Sequence, residues 1–306
     1  MTATVEIRRV TKRYGTIEAV RDVSLDLFPG ETIALVGHNG AGKTTLLKLM
    51  LGLVHPTAGT ICVLGENPAA GEFAARRKLG FLPENVAFNP ALTGREILSF
   101  YARLKGEPVA KAMELLDRVG LGAASARRVA TYSKGMRQRL GLAQALIGEP
   151  RVLLLDEPTT GLDPALRLSF YEIVQELRDR GATVVLSSHA LAELGERVER
   201  VAIMNRGVMV ANGSIDELRR IARLPAKMRL TFAEAETPAL QSWFGALDNW
   251  RQVNGHVVEI EATAERKIEL LRRAIEMGAP IKDVDVVPPT LDELYAHFLR
   301  SHEVGL

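Results

Sequence analysis

The chain has almost no cysteine, few aromatic residues and no long apolar run. One residue of 306 is cysteine, Cys62, and 5% are aromatic. A single cysteine excludes a disulfide within the chain. Its place in the apolar run TICVL predicts a small buried side chain rather than a metal ligand. The start, MTATVEIRRV, lacks the apolar core of a signal peptide, and no segment approaches the ~18 apolar residues that cross a bilayer. We therefore expect a cytoplasmic chain that reaches a membrane only through a partner.

A marked excess of charge is also absent. Lysine and arginine number 39 against 37 aspartate and glutamate, so the net charge is +2. This balance gives no reason to expect nucleic acid as a partner. Hydrophobic residues make up 47% of the chain, which is enough for a sizeable core, and the length favours two domains.

Apolar strand-like runs alternate with helical patterns from Val5 to about Ala222. The runs are TIALV, LGFLP, RVLLLDE and ATVVLSS, and the last two have the almost continuous aliphatic character of central strands. Between LGFLP and RVLLL lies a mostly helical insert, Arg95 to Ile147. The alternation predicts an α/β domain whose sheet is joined by crossover helices.

A different pattern follows toward the C-terminus. MRLTF, VVEIEA and IKDVDVV are strand-like, and helical patterns lie around Trp243, over Glu265 to Met277 and from Leu291. They predict a small α+β domain, accessory or regulatory in role. Because a proline disfavours helix in the residue before it, Pro225 places the boundary so that the domains are 1–224 and 225–306.

A glycine-rich loop, GHNGAGKT, lies between the strand TIALV and the helix TLLKLMLGL. The pattern G-x-x-x-x-G-K-[ST] in this context is the phosphate-binding loop. Backbone N–H groups surround the phosphates, Lys43 reaches the β- and γ-phosphates, and Thr44 ligates Mg²⁺. His38 is expected to be exposed rather than catalytic. The predicted ATP-binding residues here are Gly37, His38, Asn39, Gly40, Ala41, Gly42, Lys43, Thr44 and Thr45.

Two acidic residues follow the strand VLLL. Asp156 is predicted to order the Mg²⁺ shell, and Glu157 is predicted to act as the general base on the attacking water. His189 follows the next strand, ATVVLSS, where an imidazole reaches the γ-phosphate. On position alone, a helix-capping or core histidine fits this place better.

The stretch TYSKGMRQR, residues 131–139, holds no nucleophile or metal ligand, and Ser133 predicts a helix start. With the loop and LLLDEP, it makes the chain from Val5 to about Ala222 resemble the ATP-binding subunits of ABC transporters. The resemblance implies a P-loop NTPase cassette with a RecA-like core, a β-subdomain and a helical subdomain. It also implies ATP hydrolysis, a homodimer and an integral membrane permease.

The resemblance assigns further roles. TYSKGMRQR stands where the family has its signature, usually LSGGQ, which closes on the ATP of the other subunit; this implies nucleotide contacts for Ser133 and Gly135. A helix N-terminus suits an anionic phosphate. Tyr14 resembles the aromatic residue that stacks on adenine, Asp163 in GLDP resembles the residue that couples the two sites, and His189 resembles the catalytic switch histidine.

One departure from the family concerns Glu84 in LGFLPEN, where most members have glutamine. A carboxylate about 4 Å from a phosphate oxygen is repelled by ~4 kcal/mol at an effective dielectric near 20. We therefore predict that Glu84 is a catalytic-site residue that ligates Mg²⁺ directly or through water. The following segment, VAFNPALT, is either a docking site for the permease or an ordinary loop.

GHNGAGKTT, LPENVAF, YARLKG, YSKGMRQRLGLAQAL and the ending PPTLDELYAHFL are similar to the NosF subfamily. That resemblance implies the NosDFY complex, which matures the copper centres of nitrous oxide reductase, with a NosY-like permease and a NosD-like periplasmic partner. The alternative is a soluble ABC ATPase that acts without a permease. A P-loop kinase or GTPase leaves the signature and Glu157 unexplained.

Overall fold

The structure is a computed structural model, and the chain forms two compact units, Met1–Ser214 and Ile215–Leu306. The structure describes residues 2–71, 73–232, 250–254, 256–263, 266–276 and 281–304. The strands are β1 (Val5–Tyr14), β2 (Ile17–Leu27), β3 (Thr32–Val36), β4 (Ala58–Val63), β5 (Leu79–Leu82), β6 (Val152–Leu155), β7 (Thr183–Ser188), β8 (Arg200–Asn205), β9 (Val208–Gly213), β10 (Ala226–Phe232), β11 (Trp250–Asn254), β12 (Val257–Ala262) and β13 (Ile281–Val287). The helices are α1 (Lys43–Met50), α2 (Phe73–Arg77), α3 (Gly94–Lys105), α4 (Val109–Arg118), α5 (Lys134–Leu146), α6 (Pro164–Asp179), α7 (Ile215–Ala222), α8 (Arg266–Glu276) and α9 (Leu291–Val304).

A six-stranded sheet forms the centre of the first unit. The strand order is β5-β6-β7-β3-β8-β9; all neighbours are parallel except β8 and β9. Every residue of β3, β6 and β7 is buried, as expected for central strands whose two faces are both covered. The predicted α/β sheet with crossover helices is confirmed. Its parallel strands bring their carboxyl ends to one edge, and the functional residues follow those ends.

A second, antiparallel sheet in the order β2-β1-β4 packs with α1 over the same core. Val5 and Ile7 of β1 contribute to this core together with Leu46 and Leu47 of α1. Cys62, expected to be buried, is partly exposed because β4 is an edge strand of this sheet.

The predicted helical insert contains α3, α4 and α5. Thr93 and Glu96 form a capping box at the start of α3, in which each side chain bonds the other's backbone N–H. The side chain of Ser133 accepts a hydrogen bond from the Met136 N–H, which confirms the predicted start of α5. Among the described residues, none of the helices has the length and apolar character to span a membrane.

The second unit is built on an antiparallel sheet in the order β11-β12-β10-β13. Met228, Leu230 and Phe232 of β10 form its core with Val258 and Ile260 of β12. The α+β character predicted for this part of the chain is confirmed by the described strands and helices. The helix predicted around Trp243 lies outside the described residues.

The division between the units falls before α7, whereas the sequence places a boundary after Leu224. Within the second unit, α7 contacts α9, and the guanidinium of Arg219 donates to the carbonyl of Pro289 at 3.2 Å. These contacts associate α7 with the C-terminal helix.

Candidate nucleotide-binding site

The glycine-rich loop connects β3 to α1 and requires glycine at two positions by its geometry. Gly40 has φ +84° and Gly42 has φ +107°, which side chains other than glycine rarely adopt. A Cβ atom on Gly42 would lie 2.4 Å from the carbonyl oxygen of Ala19. The absence of side chains here leaves the backbone N–H groups accessible to phosphate oxygens.

Lys43 is the first residue of α1, and its ammonium folds back over the loop. Its Nζ donates to the carbonyl of Gly37 at 2.5 Å and to that of His38 at 3.3 Å, and it lies 3.8 Å from Oε1 of Glu157. Burial lowers the pKa of Lys43, and the nearby carboxylates of Glu157, Asp156 and, less strongly, Glu84 oppose that shift. The ammonium therefore lies at the centre of the loop among acceptors that a phosphate group could replace.

Asp156 follows β6 and is oriented by two hydroxyl groups. Thr44 Oγ1 donates to its Oδ2 at 2.9 Å, and Ser187 Oγ donates to its Oδ1 at 2.6 Å. Asp156 is 3% exposed, so these bonds offset the desolvation of its carboxylate. Thr44 and Asp156, the two residues predicted to meet Mg²⁺, are thus in direct contact.

Glu157 has a strained backbone and two unequal carboxylate oxygens. Its φ is +49°, a value that glutamate rarely adopts. Oε2 lies 2.7 Å from Nδ1 of His189, whereas Oε1 is buried and has no hydrogen-bond partner. A buried acceptor without a donor has an unmet bonding capacity that a water molecule could satisfy.

A groove of about 600 Å³ lies over the loop. Glu84 lines this groove and is an exposed residue. The sequence-predicted residues that line the groove are Asn39, Gly40, Ala41, Gly42, Lys43, Thr44, Thr45, Glu84, Asp156 and Glu157. The residues that sequence reasoning missed are Ile17, Glu18, Ala19 and Arg206. They come from β2 and from the turn between β8 and β9, and no local motif marks them.

His38 is exposed, as predicted, and its ring is held at the side of the loop. Nε2 lies 3.0 Å from Oδ1 of Asn205, and Nδ1 lies 2.7 Å from the carbonyl of Asn39. Gly37 is buried, and a Cβ atom there would lie 2.6 Å from the carbonyl of Met204. Both residues thus support the shape of the loop.

The remaining predicted residues, in the described part of the chain, are outside the lining of this groove. Tyr14 is 46% exposed, and Nζ of Lys12 lies 4.9 Å from its ring centroid. Ser133 and Gly135 begin α5, and Asp163 caps α6 by accepting from the Leu166 N–H at 2.9 Å. A Cβ on Gly161 would contact the side chain of Lys134, so the signature segment and the GLDP loop are neighbours.

Comparisons with known proteins agree on one family and one fold. The family model described as ABC transporter matches residues 20–160. The chain is 35% identical over 298 residues to the daunorubicin resistance ATP-binding protein DrrA3 of Streptomyces coeruleorubidus. The aligned region covers 94% of this chain and 92% of that protein. A solved structure described as an ATP-binding subunit of an ABC transporter has a TM-score of 0.68 at 32% identity, and covers 72% of this chain and 93% of its own. The dimeric structure of MJ0796, a bacterial ABC transporter cassette, has a TM-score of 0.65 at 25% identity. The match covers 69% of this chain and 98% of the MJ0796 chain.

Proposed function

Because this chain belongs to the ATP-binding proteins of ABC transporters, and is thus an ATP-hydrolysing cassette, we propose that two copies pair head to tail around two ATP molecules and drive a membrane permease. ATP binding closes the pair, and hydrolysis opens it again. The chain acts at the cytoplasmic face of the inner membrane, where the permease holds it.

The position of the signature segment, residues 131–139, supports the head-to-tail dimer. Ser133 and Lys134 are exposed at the start of α5, and within the described residues they do not line the groove over the chain's own loop. The N-terminus of a helix favours a negative charge, and the first turn of α5 contains no acidic residue. In the proposed pair, the ATP bound by a second copy places its phosphates at this helix start. The dimeric form of the MJ0796 cassette supports this arrangement.

The hydrolytic step depends on the two oxygens of Glu157. His189 orients the carboxylate through Oε2, whereas Oε1 has no hydrogen-bond partner and lies 3.8 Å from the Lys43 ammonium, so we assign Oε1 as the acceptor of the proton from the water molecule. Such a positioned base contributes roughly 10²- to 10⁴-fold in rate. Lys43 and the loop N–H groups hold the phosphates in line with that water.

The donor set fits Mg²⁺. Thr44 and Asp156 present a hydroxyl and a carboxylate to one point of the groove, and Glu84 lies at the same groove. Within the described ranges, no group of three or more His, Cys, Asp or Glu side chains could hold a metal by itself. This agrees with Mg²⁺, which binds through one or two protein oxygens plus phosphates and water. When bound, Mg²⁺ neutralises charge on the β- and γ-phosphates.

The permease docks on the apolar surface of the helical insert. Phe100 and Leu104 of α3 are 59% and 69% exposed, and Tyr101 contacts Phe100 and Phe88 edge to face. Phe88 belongs to the segment VAFNPALT, so the predicted docking segment and this exposed helix face adjoin. A cytoplasmic segment of a permease with apolar side chains fits this surface.

The finer assignment, that the complex is of the NosDFY type with NosY-like and NosD-like partners, rests on the sequence segments that resemble NosF. If it is correct, another subunit meets the copper cargo, since the described residues include no group of three or more His, Cys, Asp or Glu side chains that could hold copper. Deletion of the gene in the source organism tests it: copper-deficient nitrous oxide reductase supports this role. Unchanged copper content together with increased sensitivity to daunorubicin-like amphiphiles contradicts it and favours the role named for DrrA3.

The trapped variant Glu157→Gln tests the main proposal. With ATP and Mg²⁺ we expect a dimer by light scattering, and in mild detergent we expect a multi-span permease to co-purify. Wild type under hydrolysing conditions serves as the control and remains mostly monomeric. A Glu157→Gln variant that binds ATP but stays monomeric and captures only soluble partners supports the alternative ATPase without a permease.

A further inference from the structure

The hydroxyl of Ser187 joins the two acidic residues of the site. Ser187 is fully buried near the end of β7. Its Oγ donates to Oδ1 of Asp156 at 2.6 Å and accepts from the backbone N–H of Glu157 at 2.9 Å. One hydroxyl thus bonds both the side chain of Asp156 and the backbone N–H of the next residue, Glu157.

The register between β6 and β7 explains this position. Leu155 is paired with Leu186, so Ser187 lies beside Asp156, the first residue after β6. The next residue, Glu157, lies beyond the end of β6 and has φ +49°, and its N–H donates to the Ser187 hydroxyl. A buried N–H without an acceptor costs about 1–3 kcal/mol. The Ser187 hydroxyl supplies that acceptor.

We propose that Ser187 is a positioning residue for ATP hydrolysis, whose hydroxyl sets the directions of the Asp156 and Glu157 carboxylates. Since Thr44 donates to the other oxygen of Asp156, both oxygens of this carboxylate are oriented by hydroxyl groups. The inference rests on the magnesium-dependent hydrolysis proposed above.

The end of β7 holds Glu157 at two places. Ser187 bonds its backbone, and His189, two residues later, contacts its side chain. With the backbone anchored and one oxygen bound, the other oxygen has a defined direction. Loss of the backbone anchor frees the turn to relax from its strained conformation, and the base then moves from the water that it activates.

The variant Ser187→Ala removes both hydrogen bonds with little change in volume. We expect kcat for ATP to fall about ten- to hundredfold, and the Mg²⁺ concentration for half-maximal rate to rise about tenfold. A readout that does not depend on turnover is Mn²⁺ binding in the presence of ADP, followed by electron paramagnetic resonance. We expect that affinity to fall about tenfold, with ATP binding in EDTA unchanged.

Thr183→Val is the matched control. Thr183 is also fully buried on β7, at the opposite end of the strand, and its hydroxyl donates to the carbonyl of Phe28 at 2.8 Å. Removal of this hydroxyl should lower the Tm as Ser187→Ala does, because each loses buried hydrogen bonds. Only Ser187→Ala should change kcat and Mn²⁺ affinity, and this separates positioning from stability.

The outcomes distinguish this inference from the function on which it rests. Wild-type protein whose hydrolysis does not depend on Mg²⁺ would overturn the proposed function. Wild type that depends on Mg²⁺, with Ser187→Ala retaining its kcat and Mn²⁺ affinity, would overturn the inference alone. If Ser187→Ala does not fold, Ser187→Cys keeps the shape of the side chain with a slightly larger atom and weakens both bonds. Its Mn²⁺ affinity should fall in the same direction, and an unchanged value contradicts the inference.

Discussion

Nδ1 of His189 lies 2.7 Å from Oε2 of Glu157, although the two residues are 32 positions apart in the chain. Each follows the end of a buried strand, and because β6 and β7 are parallel neighbours, the two ends meet. The Glu157 side chain is 9% exposed and the His189 side chain 61% exposed. An accessible imidazole thus contacts an enclosed base from the solvent side.

His189→Ala should lower kcat by about a hundredfold, the lower end of what a positioned base supplies. The reason is that Oε2 of Glu157 loses its partner, and the carboxylate gains a second orientation. ATPase rates at saturating ATP, together with nucleotide-binding affinity, check this. The matched control is His55→Ala, which removes another exposed histidine outside the groove. Equal rates for both variants would contradict the role of His189.

Glu84→Gln should raise the Mg²⁺ concentration for half-maximal ATPase activity by about tenfold. The substitution removes a carboxylate that lies at the groove, where its negative charge favours cations. Titration of activity with MgCl₂ at fixed ATP measures the change. Glu114→Gln on α4, also an exposed glutamate, is the control. Unchanged metal dependence in Glu84→Gln is incompatible with Glu84 as a ligand of Mg²⁺.

Lys105 predicts a dependence of stability on pH. Its ammonium donates to the carbonyls of Leu79 at 2.9 Å and Ile147 at 2.8 Å, and burial lowers its pKa from 10.5 to about 8. Between these two values the unfolded chain holds a proton that the folded protein has released, so raising the pH stabilises the folded protein.

The variant Lys105→Met isolates this contribution because it lacks the titrating group. We expect the Tm of wild type minus that of Lys105→Met to increase from pH 8 to pH 10. The corresponding limiting gain in the free energy of unfolding of wild type is about 3 kcal/mol. Thermal unfolding of both proteins in matched buffers measures it. A constant difference across this range means that Lys105 is charged to the same extent in the folded and unfolded chains.

Glu259 should stabilise the second unit above about pH 5. Its side chain is 3% exposed and bonds Nε of Arg229 at 3.0 Å and Nη2 of Arg251 at 2.6 Å. Burial raises its pKa, but the two guanidinium hydrogen bonds outweigh that effect and hold the pKa below the ordinary 4.5. Because the pKa of Glu259 is lower in the folded protein than in the unfolded chain, its ionised carboxylate stabilises the fold at pH values above the unfolded-state pKa. This stability is lost as the pH falls through the folded-state pKa.

Glu259→Gln should therefore cost about 1–2 kcal/mol at pH 7, a modest figure because both arginines are partly exposed. The difference from wild type should shrink below pH 4.5 as the native carboxylate is protonated. Denaturant unfolding followed by tryptophan fluorescence measures it, because both tryptophans, Trp243 and Trp250, belong to the second unit. Glu261→Gln, an exposed neighbour on β12, is the control and should be close to wild type at both pH values.

Local patterns predicted much of this molecule. The spacing of GHNGAGKT, the aliphatic runs before Asp156 and His189, and the cap at Ser133 depend only on neighbouring residues, so they are readable from the chain. The strand-and-helix alternation likewise predicted both units. The site assignments of Tyr14 and Asp163 stay predictions, since their partners belong to a nucleotide and a second copy.

The sequence by itself determined the class of chemistry, because a phosphate loop is a local conformation of glycines followed by a helix start. Only the tertiary structure decided which groups surround it. Ala19 and Arg206 come to the loop from β2 and from the turn after β8, and Ser187 reaches Asp156 through the parallel register of β6 with β7. Such contacts depend on sheet order and strand register, which long-range packing determines and no local pattern encodes.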